Sequence, residues 1–492
     1  MPRLLSPLEN PLLHDTAATR LIEQAAALQS PPHALMQRAG LAVARLALAL
    51  APHARTIWIA CGPGNNGGDG LEAAMHLRHW GLNPVVTWLG NAERAPDDAR
   101  ASFARARGAG VHFADEPPLL EADDLCIDAL LGIGAARAPG GRMADWLTRM
   151  AVSPALRLAV DLPSGLNADT GEWLAPEAAS SGPHIRTPRH HTLSLLTLKP
   201  GLFTAHGRDA CGTLWFDDLG VTPTEPATAR LNAPPPSAPR PHASHKGTWG
   251  DVAVIGGESD AARGIAMCGA ALLAARAALH GGAGRVYVSL LGDAGPMLDM
   301  TAPELMFRRI DALELQTLTA VCGCGGGEAV RSVLPQVLKT APRLVLDADA
   351  LNAIAVDAVL QTALANRAPQ GQATVLTPHP LEAARLLARP TAQIQASRLA
   401  AAHELAQRFQ CAVVLKGSGT VIAAPGHIPR INPTGNARLA TAGTGDVLAG
   451  MIGAQLAAGS DALEAASTAV WRHGHAADIW PRETPLTAGR LC

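Results

Sequence analysis

The sequence predicts two different α/β domains, each built on a parallel sheet. At 492 residues, the chain is too long for a single hydrophobic core. Short apolar runs alternate with longer helical patterns in both halves, which is typical of parallel strands buried on both faces. A proline-rich segment, residues 223–241, disfavours helix and sheet and predicts an extended linker between the halves.

The strands follow from the apolar runs, taken in chain order. In the first half the runs are TIWIA, PVVTWLG, LCIDALLG, LRLAVDL and TLSLLTL. In the second half they are DVAVIGG, RVYVSLL, RLVLDAD, TVLTP and AVVLKG. The motifs between these runs differ from one half to the other, so the sequence does not predict an internal repeat.

Composition argues against several classes of protein. The 40 basic and 42 acidic residues give a net charge of −2 without long charged runs, so nucleic acid and anionic membranes are not expected partners. Glu9 and Asp15 interrupt the N-terminal segment before a secretory apolar region forms, and no uncharged run is long enough for a membrane helix. The eight scattered cysteines fit neither a zinc site nor a disulfide framework. We expect a soluble, cytoplasmic protein.

The loop CGPGNNGGDG, residues 61–70, follows the first strand and matches the spacing GxGxxG. A dinucleotide fingerprint also needs an acidic residue at the end of the next strand. Here the next strand, PVVTWLG, ends without one, and the first acidic residue after it is Glu93, in a loop. The loop has no lysine, which excludes a Walker A phosphate loop. The simplest alternative is a tight turn between strand and helix in which the asparagines and the aspartate cap the helix.

Polar side chains also follow two further strands of the first half. Asp128 and Asp161 end predicted strands, and Ser164 follows the second. The carboxyl ends of parallel strands share one edge of the sheet, where ligands bind. These oxygens suit a hard cation, with one carboxylate left for acid–base chemistry. For either aspartate alone, a helix cap is the simpler interpretation.

In the second half, ATAGTGDVLAG predicts a helix that begins near Asp446 after a glycine turn at Gly443–Gly445. Free backbone N–H groups there would bind an anion, and Asp446 could take a proton from a hydroxyl that attacks phosphate. The segment from Lys416 to Thr420 adds a lysine and a second glycine-rich turn for nucleotide phosphates. The alternative for this motif alone is an ordinary capped helix.

Taken together, these motifs resemble the bifunctional NAD(P)H-hydrate repair enzymes, in which an epimerase domain is fused to an ADP-dependent dehydratase domain. The resemblance extends over nearly the whole chain. Its first half contains LMQRAG, GPGNNGGDG, IDALLGIG, DLPSGLNADTG and LKPGLFTAHGRDACG. Its second half contains HKGTWGDVAVIGG, PELM, DADALN, TPHP, LKGSGTVIA and TAGTGDVLAG. The resemblance implies a Rossmann-like three-layer domain followed by a ribokinase-like α/β domain without a lid.

For the first domain, the resemblance implies a site for a nicotinamide coenzyme hydrated at C6. Asp161 would be the acid–base group, and potassium would bind to Asn66, Asp128 and Ser164. The residues implied to contact the hydrate are Asn65, Asn66, Gly67, Gly68, Asp69, Gly132, Ile133, Gly134, Ala135, Ala136, Arg137, Ala138 and Asp161.

For the second domain, the resemblance implies phosphorylation of the hydrate by ADP, with Asp446 as base and magnesium as a further cofactor. The implied hydrate contacts are Ala270, Gly325, His379 and Asp446, and the nucleotide contacts are Lys416, Gly417, Ser418, Gly419, Thr420 and Gly445. Two departures stand out. GCGGG, residues 323–327, replaces a Gly-Pro-Gly-Leu-Gly-like turn, and Leu381 occupies a position that is normally glycine.

The resulting expectation is an enzyme with an epimerase domain (1–222), a linker (223–241) and a dehydratase domain (242–492). Its substrates would be the R and S epimers of NAD(P)HX, with ADP as co-substrate and AMP and phosphate as products. Neither a membrane nor nucleic acid is an expected partner, and homo-oligomer formation is left open. The alternative is a small-alcohol or vitamin kinase fused to a non-catalytic nucleotide-binding module.

Overall fold

The computed structural model describes residues 1–6, 8–174, 189–236, 241–293 and 298–491. Contacts within the chain divide it into two compact units, Met1–Arg230 and Leu231–Cys492. Each unit has its own sheet, and each sheet is covered by helices on both faces.

The first unit contains a mostly parallel sheet. The strands of this sheet are β1 (Arg3–Leu4), β3 (Ile57–Cys61), β4 (Pro84–Trp88), β5 (His112–Phe113), β6 (Leu125–Ala129), β7 (Leu156–Val160), β8 (His190–Leu195) and β9 (Thr213–Asp217). A further short strand of the unit, β2 (Leu12–Leu13), lies outside this sheet. Its helices are α1 (Thr16–Leu28), α2 (Ala34–Leu50), α3 (Asn65–His79), α4 (Asp97–Gly108), α5 (Arg142–Val152), the short α6 (Gly207–Ala210) and a 3₁₀ turn at Pro200–Leu202. The strand order is β1-β9-β8-β7-β6-β3-β4-β5, and only β1 is antiparallel to its neighbour.

Alternate side chains of the central strands enter two different cores. Ile57 and Ile59 pack with α2 and α3 on one face of the sheet. Trp58 and Ala60 pack on the other face with Trp146 of α5. This alternation follows from the two-residue period of a strand, and it explains why β3 is apolar throughout. The predicted three-layer α/β arrangement is therefore confirmed.

A strand lies inside the segment that the sequence predicts as an extended linker. β10 (Ala229–Leu231) pairs antiparallel with β2, and Thr228 N donates to the carbonyl of Leu13 at 2.9 Å. Asn232 is also buried. The prolines on either side do not prevent this pairing, because residues 227–232 contain none and keep their N–H groups. The boundary between the compact units therefore falls inside the predicted linker, of which residues 237–240 lie outside the described residues.

The second unit contains a larger sheet. Its strands are β11 (Asp251–Asp260), β12 (Ile265–Ala266), β13 (Arg285–Gly292), β14 (Met306–Phe307), β15 (Thr319–Cys322), β16 (Arg343–Leu346), β17 (Ala373–Leu376), β18 (Ala412–Leu415), β19 (Val421–Ala423) and β20 (Arg430–Ile431). Its helices are α7 (Cys268–His280), α8 (Val330–Thr340), α9 (Ala348–Ala355), α10 (Ala358–Ala365), α11 (Pro380–Leu387), α12 (Thr391–Ala396), α13 (Arg398–Phe409), α14 (Thr444–Ala457), α15 (Ala462–Asp478) and α16 (Ala488–Leu491). Short 3₁₀ turns lie at Lys246–Trp249, Ile310–Ala312, Leu315–Thr317, Ala368–Gln370 and Ala437–Leu439.

The strand order within this unit is β14-β13-β11-β15-β16-β17-β18-β19-β20. The strands from β14 to β18 in this order run parallel, whereas β19 and β20 are antiparallel. Helices α8, α9, α11 and α13 cover one face, and α7, α14 and α15 cover the other. The loops after β15, β16, β17 and β18 therefore meet at one edge, close to the start of α14.

The described part of the chain holds no single helix that is both long enough and apolar enough to cross a membrane. One sharply bent pair of helices, Ala348–Ala355 with Ala358–Gln370, passes by length and composition alone.

Candidate active sites

A cavity of about 730 Å³ opens at the carboxyl edge of the first sheet. Its walls come from the loops after β3, β6 and β7 and from helices α1 and α2. The predicted residues among its lining are Asn65, Asn66, Asp69, Gly132, Ile133, Gly134, Ala135 and Asp161. The lining does not include five other predicted residues, which are Gly67, Gly68, Ala136, Arg137 and Ala138.

The glycine-rich loop works by close backbone approach. A side chain at Gly67 would put its Cβ 2.0 Å from the carbonyl oxygen of Gly62, and one at Gly62 would lie 1.8 Å from the carbonyl oxygen of Leu130. The turn therefore packs directly on the neighbouring loop. Helix α3 begins at Asn65 with Gly64 as its N-cap and no side-chain cap, so the capping alternative for Asn65, Asn66 and Asp69 is wrong.

Asp161 lies directly after β7 with a φ of +68°, a left-handed conformation that is uncommon for a residue other than glycine. Its carboxylate pairs with the ammonium group of Lys199, which is fully buried. The ammonium group also donates to the carbonyl of Leu195 at 2.7 Å, and Leu195 N donates to Asp161 Oδ1 at 3.3 Å. Lys199 therefore holds the Asp161 carboxylate in one orientation at the cavity wall.

Two of the other carboxyl groups that line the same cavity, Asp69 and Glu23, have raised pKa values. Burial raises the pKa of Asp69 well above its usual value, and the nearby charges of Asp161 and Glu23 raise it further. Burial and the charge of Asp161 also raise the pKa of Glu23. The cavity therefore combines a carboxylate paired with lysine and carboxyl groups that favour their protonated form. Such a difference between neighbouring groups is what acid–base chemistry requires.

Two of the three predicted potassium ligands, Asp128 and Ser164, contact each other, and the third, Asn66, lines the cavity. Ser164 Oγ donates to Asp128 Oδ1 at 2.6 Å, and Gly132, whose position faces the Asn66 amide, belongs to the same loop cluster. The Asp128 carboxylate also accepts from Arg157 Nη2 at 3.0 Å, a contact that the sequence did not predict.

In the second unit, Asp446 lies in the first turn of α14. The N-cap is Gly443, with a φ of +90° and no side-chain hydrogen bond. Thr444 is anchored instead by its hydroxyl, which donates to the carbonyls of Leu439 and Thr441 at 2.8 and 2.9 Å. The capping alternative for Asp446 is therefore wrong, and its carboxylate is available at the positive end of the helix.

Lys416 forms an ion pair within the protein, beside the site where its contact with nucleotide phosphates stays a prediction. The sequence predicts that it meets nucleotide phosphates, but its ammonium group donates to Asp347 Oδ1 at 2.7 Å. Asp347 is buried at the end of β16 and also accepts from the hydroxyl of Thr377 at 2.8 Å. A Cβ at Gly445 would lie 3.3 Å from the Lys416 ammonium, so this ion pair adjoins the α14 turn. Lys416 is thus next to the predicted phosphate site while already paired with a carboxylate.

Cys324 and the two aspartates form a tight cluster, in which the ligand atoms of Cys324, Asp347 and Asp446 lie within 4.8 Å of one another. Burial raises the pKa of Asp446 to about 6, and the charge of Asp347 contributes. Burial also raises the pKa of the Cys324 thiol, beside Asp446 and Asp347. Asp446 can therefore be ionised near neutral pH and still accept a proton readily.

The histidine turn has regular helical geometry. His379 caps α11, where its Nδ1 accepts from Leu381 N at 3.0 Å and from Glu382 N at 3.2 Å. Leu381 is the second residue of this helix and is not among the positive-φ residues, so its difference from glycine imposes no backbone strain. Burial raises the pKa of Glu382 to about 7, and burial together with the nearby Lys416 charge lowers the pKa of His379.

The remaining predicted contacts of the second unit form two glycine turns. Gly325 has a φ of +58°, and a Cβ there would lie 2.9 Å from the Cβ of Ala270, so these two residues adjoin. In the other turn Gly417, with a φ of +142°, packs against the buried Arg398. Thr420 Oγ1 donates to the carbonyl of Gly417 at 3.1 Å, which closes the turn that contains Ser418 and Gly419.

Several residues of these sites were not assigned from the sequence. They are Glu23, Arg157, Lys199, Cys324 and Asp347. Asp347 was recognisable as a strand end within VLDADALN, and Lys199 as a lone lysine in the apolar run LLTLKPGLF. No sequence signal marks Glu23, which lies within an ordinary amphipathic helix.

Comparison with known proteins identifies the family of the chain. Residues 32–201 match the family described as YjeF-related protein N-terminus, and residues 252–490 match the family described as NAD(P)H-hydrate dehydratase. A bifunctional NAD(P)H-hydrate repair enzyme from Escherichia coli K12 is 36% identical over 463 residues, which cover 90% of this chain and 84% of that protein. The chain belongs to the bifunctional NAD(P)H-hydrate repair enzyme family. It is an enzyme, and the family unites an epimerase and a dehydratase.

Relatives of the second unit alone also exist. An ADP-dependent (S)-NAD(P)H-hydrate dehydratase from Neisseria meningitidis is 42% identical over 255 residues, 50% of this chain and 83% of that protein. An ADP/ATP-dependent NAD(P)H-hydrate dehydratase from Bacillus subtilis, crystallised with ATP and Mg²⁺, is 35% identical with a TM-score of 0.44, and covers 51% of this chain and 90% of that one. Membership of the repair enzyme family confirms the predicted fold class, including the ribokinase-like α/β second unit.

Proposed function

We propose that the first unit interconverts the R and S epimers of hydrated NAD(P)H and that the second unit dehydrates the S epimer with ADP. The observation that carries this proposal is the state of Asp446. Its carboxylate caps no helix, lies beside the glycine turn at Gly443–Gly445 and has its pKa raised to about 6 by burial. These are the properties of a general base for phosphoryl transfer to a hydroxyl.

Dehydration needs an activated hydroxyl, because hydroxide leaves the ring poorly. Asp446 takes the proton from the C6 hydroxyl of the hydrate. The hydroxyl oxygen attacks the β-phosphorus of ADP, and AMP departs. The backbone N–H groups at Gly443–Gly445 stabilise the negative charge on the phosphoryl oxygens. Phosphate then leaves C6 as C5 loses a proton, and the double bond of NAD(P)H is restored.

Lys416 contributes through charge balance in this site. With the buried Asp347 paired to it, the two aspartates do not both face the nucleotide as uncompensated anions. When ADP binds, the Lys416 ammonium near Gly445 lies close enough to the phosphate region to share its charge with it. The remaining nucleotide contacts proposed are Gly417, Ser418, Gly419 and Thr420.

Epimerisation requires that C6 loses its configuration. If a protonated carboxyl such as Asp69 gives a proton to the C6 hydroxyl, water leaves and the ring nitrogen stabilises a planar C6. When water returns to the opposite face, Asp161 takes its proton. The ion pair with Lys199 orients the Asp161 carboxylate for this role, whereas the raised pKa of Asp69 favours its acid form.

Metal cofactors enter this proposal only as binding partners. Magnesium would neutralise nucleotide phosphates when bound. Cys324, Asp347 and Asp446 would offer it one sulfur and two carboxylates, and Lys416 already holds Asp347, so this set does not fit an octahedral oxygen site. No step above uses potassium at Asn66, Asp128 and Ser164, where Arg157 already pairs with the Asp128 carboxylate. The proposed partners are NAD(P)HX and ADP, and the proposed location is the cytoplasm.

A product analysis tests the proposal. Purified protein is incubated with S-NADHX and ADP, and NADH, AMP and phosphate are measured together by absorbance and phosphorus NMR. We expect the three products in equal amounts, with no lasting phosphorylated alcohol. A stable phosphate ester, or consumption of ADP without NADH, would support a kinase and contradict the proposal.

A further inference from the structure

The one carboxylate at the predicted potassium site, Asp128, already forms an ion pair with a protein side chain, Arg157. Asp128 is completely buried at the end of β6. Arg157 lies on the adjacent strand β7, where it pairs with Cys126, two residues before Asp128. Side chains two residues apart on a strand share a face, so the guanidinium reaches the carboxylate diagonally. The distance from Arg157 Nη2 to Asp128 Oδ2 is 3.0 Å, and the arginine side chain is itself largely buried.

Protein donors also fill the remaining positions around the Asp128 carboxylate. Ser164 donates twice, from Oγ to Oδ1 at 2.6 Å and from its backbone N to Oδ2 at 3.1 Å. Leu130 N approaches Oδ1 at 3.4 Å. A carboxylate offers about four lone-pair sites, so with Arg157 included its acceptor capacity is used by the protein.

The other two predicted ligands, Ser164 and Asn66, do not replace the Asp128 carboxylate as a charged ligand for potassium. Leu131 N donates to Ser164 Oγ at 2.8 Å, so that oxygen is already engaged as an acceptor. Asn66 Nδ2 is buried and has no hydrogen-bond partner among the described residues. The amide could turn its oxygen toward a cation, but the one charged ligand of the predicted set is neutralised by Arg157. The donor set therefore does not fit a resident potassium ion.

Electrostatics explain why the two cations would exclude each other. A buried carboxylate needs one compensating positive charge, and a second cation close to the first would be repelled in a poorly solvated site. We propose, building on the epimerase function proposed above, that Arg157 takes over the charge-balancing role of potassium in this chain. The first unit then folds and epimerises its substrate without a monovalent metal ion.

The test compares potassium chloride with tetramethylammonium chloride at equal ionic strength, using the full chain. For the wild type we expect epimerisation rates that agree within about twofold between the two salts, since no ion binding is coupled to the reaction. The unfolding temperature should likewise differ by less than about 1 °C. Arg157→Met removes the cation while keeping side-chain length, so the variant should gain a need for potassium that the wild type lacks.

In Arg157→Met we expect an unfolding temperature several degrees below that of the wild type in tetramethylammonium, with about 2–4 °C regained in potassium. Arg149→Met removes the same charge from an exposed position of α5 and should show no salt effect. If Arg157→Met fails to fold, the epimerisation rates and unfolding temperatures of the wild type in the two salts still test the inference.

A wild type that epimerises only with potassium, or that potassium stabilises by several degrees, would overturn the inference. Absence of epimerisation in both salts would refute the proposed function instead, and the unfolding temperatures would still test the role of Arg157.

Discussion

Buried lysine–aspartate pairs are the residue-scale feature common to both candidate sites. Lys199 pairs with Asp161 in the first unit, and Lys416 pairs with Asp347 in the second. Each pair lies in surroundings that raise the pKa of a neighbouring carboxyl group, which is Asp69 in the first unit and Asp446 in the second. Each site thus places one carboxylate in a buried ion pair beside a second carboxyl group whose pKa is raised.

The role of Asp446 can be separated from helix capping by comparison with Asp461. Asp446 makes no cap, whereas Asp461 caps α15 by accepting from Glu464 N at 2.9 Å. We expect Asp446→Ala to reduce ADP-dependent dehydration by about 10²-fold or more, with little loss of stability. Asp461→Ala should cost about 1 kcal/mol of unfolding free energy and leave dehydration intact. Urea denaturation and initial rates measure both, and the reverse pattern would contradict the assignment.

The pH dependence of dehydration follows from the same residue. Asp446 must be ionised to accept a proton, and its pKa is raised to about 6. The maximal rate should therefore be constant above this pH and fall about tenfold for each pH unit below it. Initial rates with saturating S-NADHX and ADP between pH 5 and 8 measure this. A limb near pH 4, the usual range of an aspartate, would show that another environment or another base controls the reaction.

Removal of Lys199 tests the buried pair of the first unit. Lys199→Met leaves the Asp161 carboxylate without its cation, so we expect a loss of about 3–5 kcal/mol in unfolding free energy together with slower epimerisation. Adding Asp161→Asn should restore part of that stability, because the uncompensated charge is gone. Strictly additive losses in the double variant, measured by denaturant unfolding, would mean that the two side chains are not coupled.

At the scale of elements, the glycine loop between β3 and α3 joins two functions in ten residues. It ends a buried strand and begins the helix whose first turns carry Asn66 and Asp69 to the cavity wall. The loop can do so because Gly62 and Gly67 let backbone pass against backbone.

Two alanine substitutions in this loop should have opposite outcomes. At Gly67 the added Cβ would lie 2.0 Å from the backbone oxygen of Gly62, whereas at Gly64 nothing lies within 4 Å. Both residues have ordinary negative φ, so the comparison isolates contact from backbone strain. Gly67→Ala should destabilise the first unit by about 1–3 kcal/mol or more and reduce epimerisation. Gly64→Ala should stay within about 1 kcal/mol of the wild type, and equal effects would contradict the contact argument.

The sequence predicted the long apolar strands of the fold better than its short strands. The apolar runs located β3, β6, β7, β11 and β18, because buried parallel strands are apolar on both faces. It missed β15, whose sequence TAVC contains valine as its only large aliphatic residue and therefore does not stand out as an apolar run. It also missed β10, where pairing with a distant strand outweighs the neighbouring prolines.

The sites show the same division. Glycine and strand-end aspartates marked the loops that converge, and these residues lie where the topology predicts. The partners of those aspartates could not be predicted, because Lys199 is 38 residues from Asp161 and Lys416 is 69 residues from Asp347. The contact between Arg157 and Asp128 could not be predicted either, because it depends on the register between β6 and β7.

At the scale of the whole molecule, each candidate site is built from residues of one compact unit. The 730 Å³ cavity takes its lining from the first unit, and the Cys324, Asp347 and Asp446 cluster belongs to the second. Spontaneous hydration produces two epimers, and a stereospecific dehydratase consumes one of them. A single chain with both sites can therefore return the entire damaged pool to NAD(P)H.

The measurement that tests this central claim most directly is the recovery of NADH absorbance from an equal mixture of R- and S-NADHX. With ADP, the wild type should recover all of the coenzyme, Asp161→Asn should stop near half, and Asp446→Asn should recover almost none while still interconverting the epimers. Without ADP, no protein should restore absorbance. Full recovery by Asp161→Asn, or rapid recovery by Asp446→Asn, would contradict the assignment of two separate sites with these two aspartates at their centres.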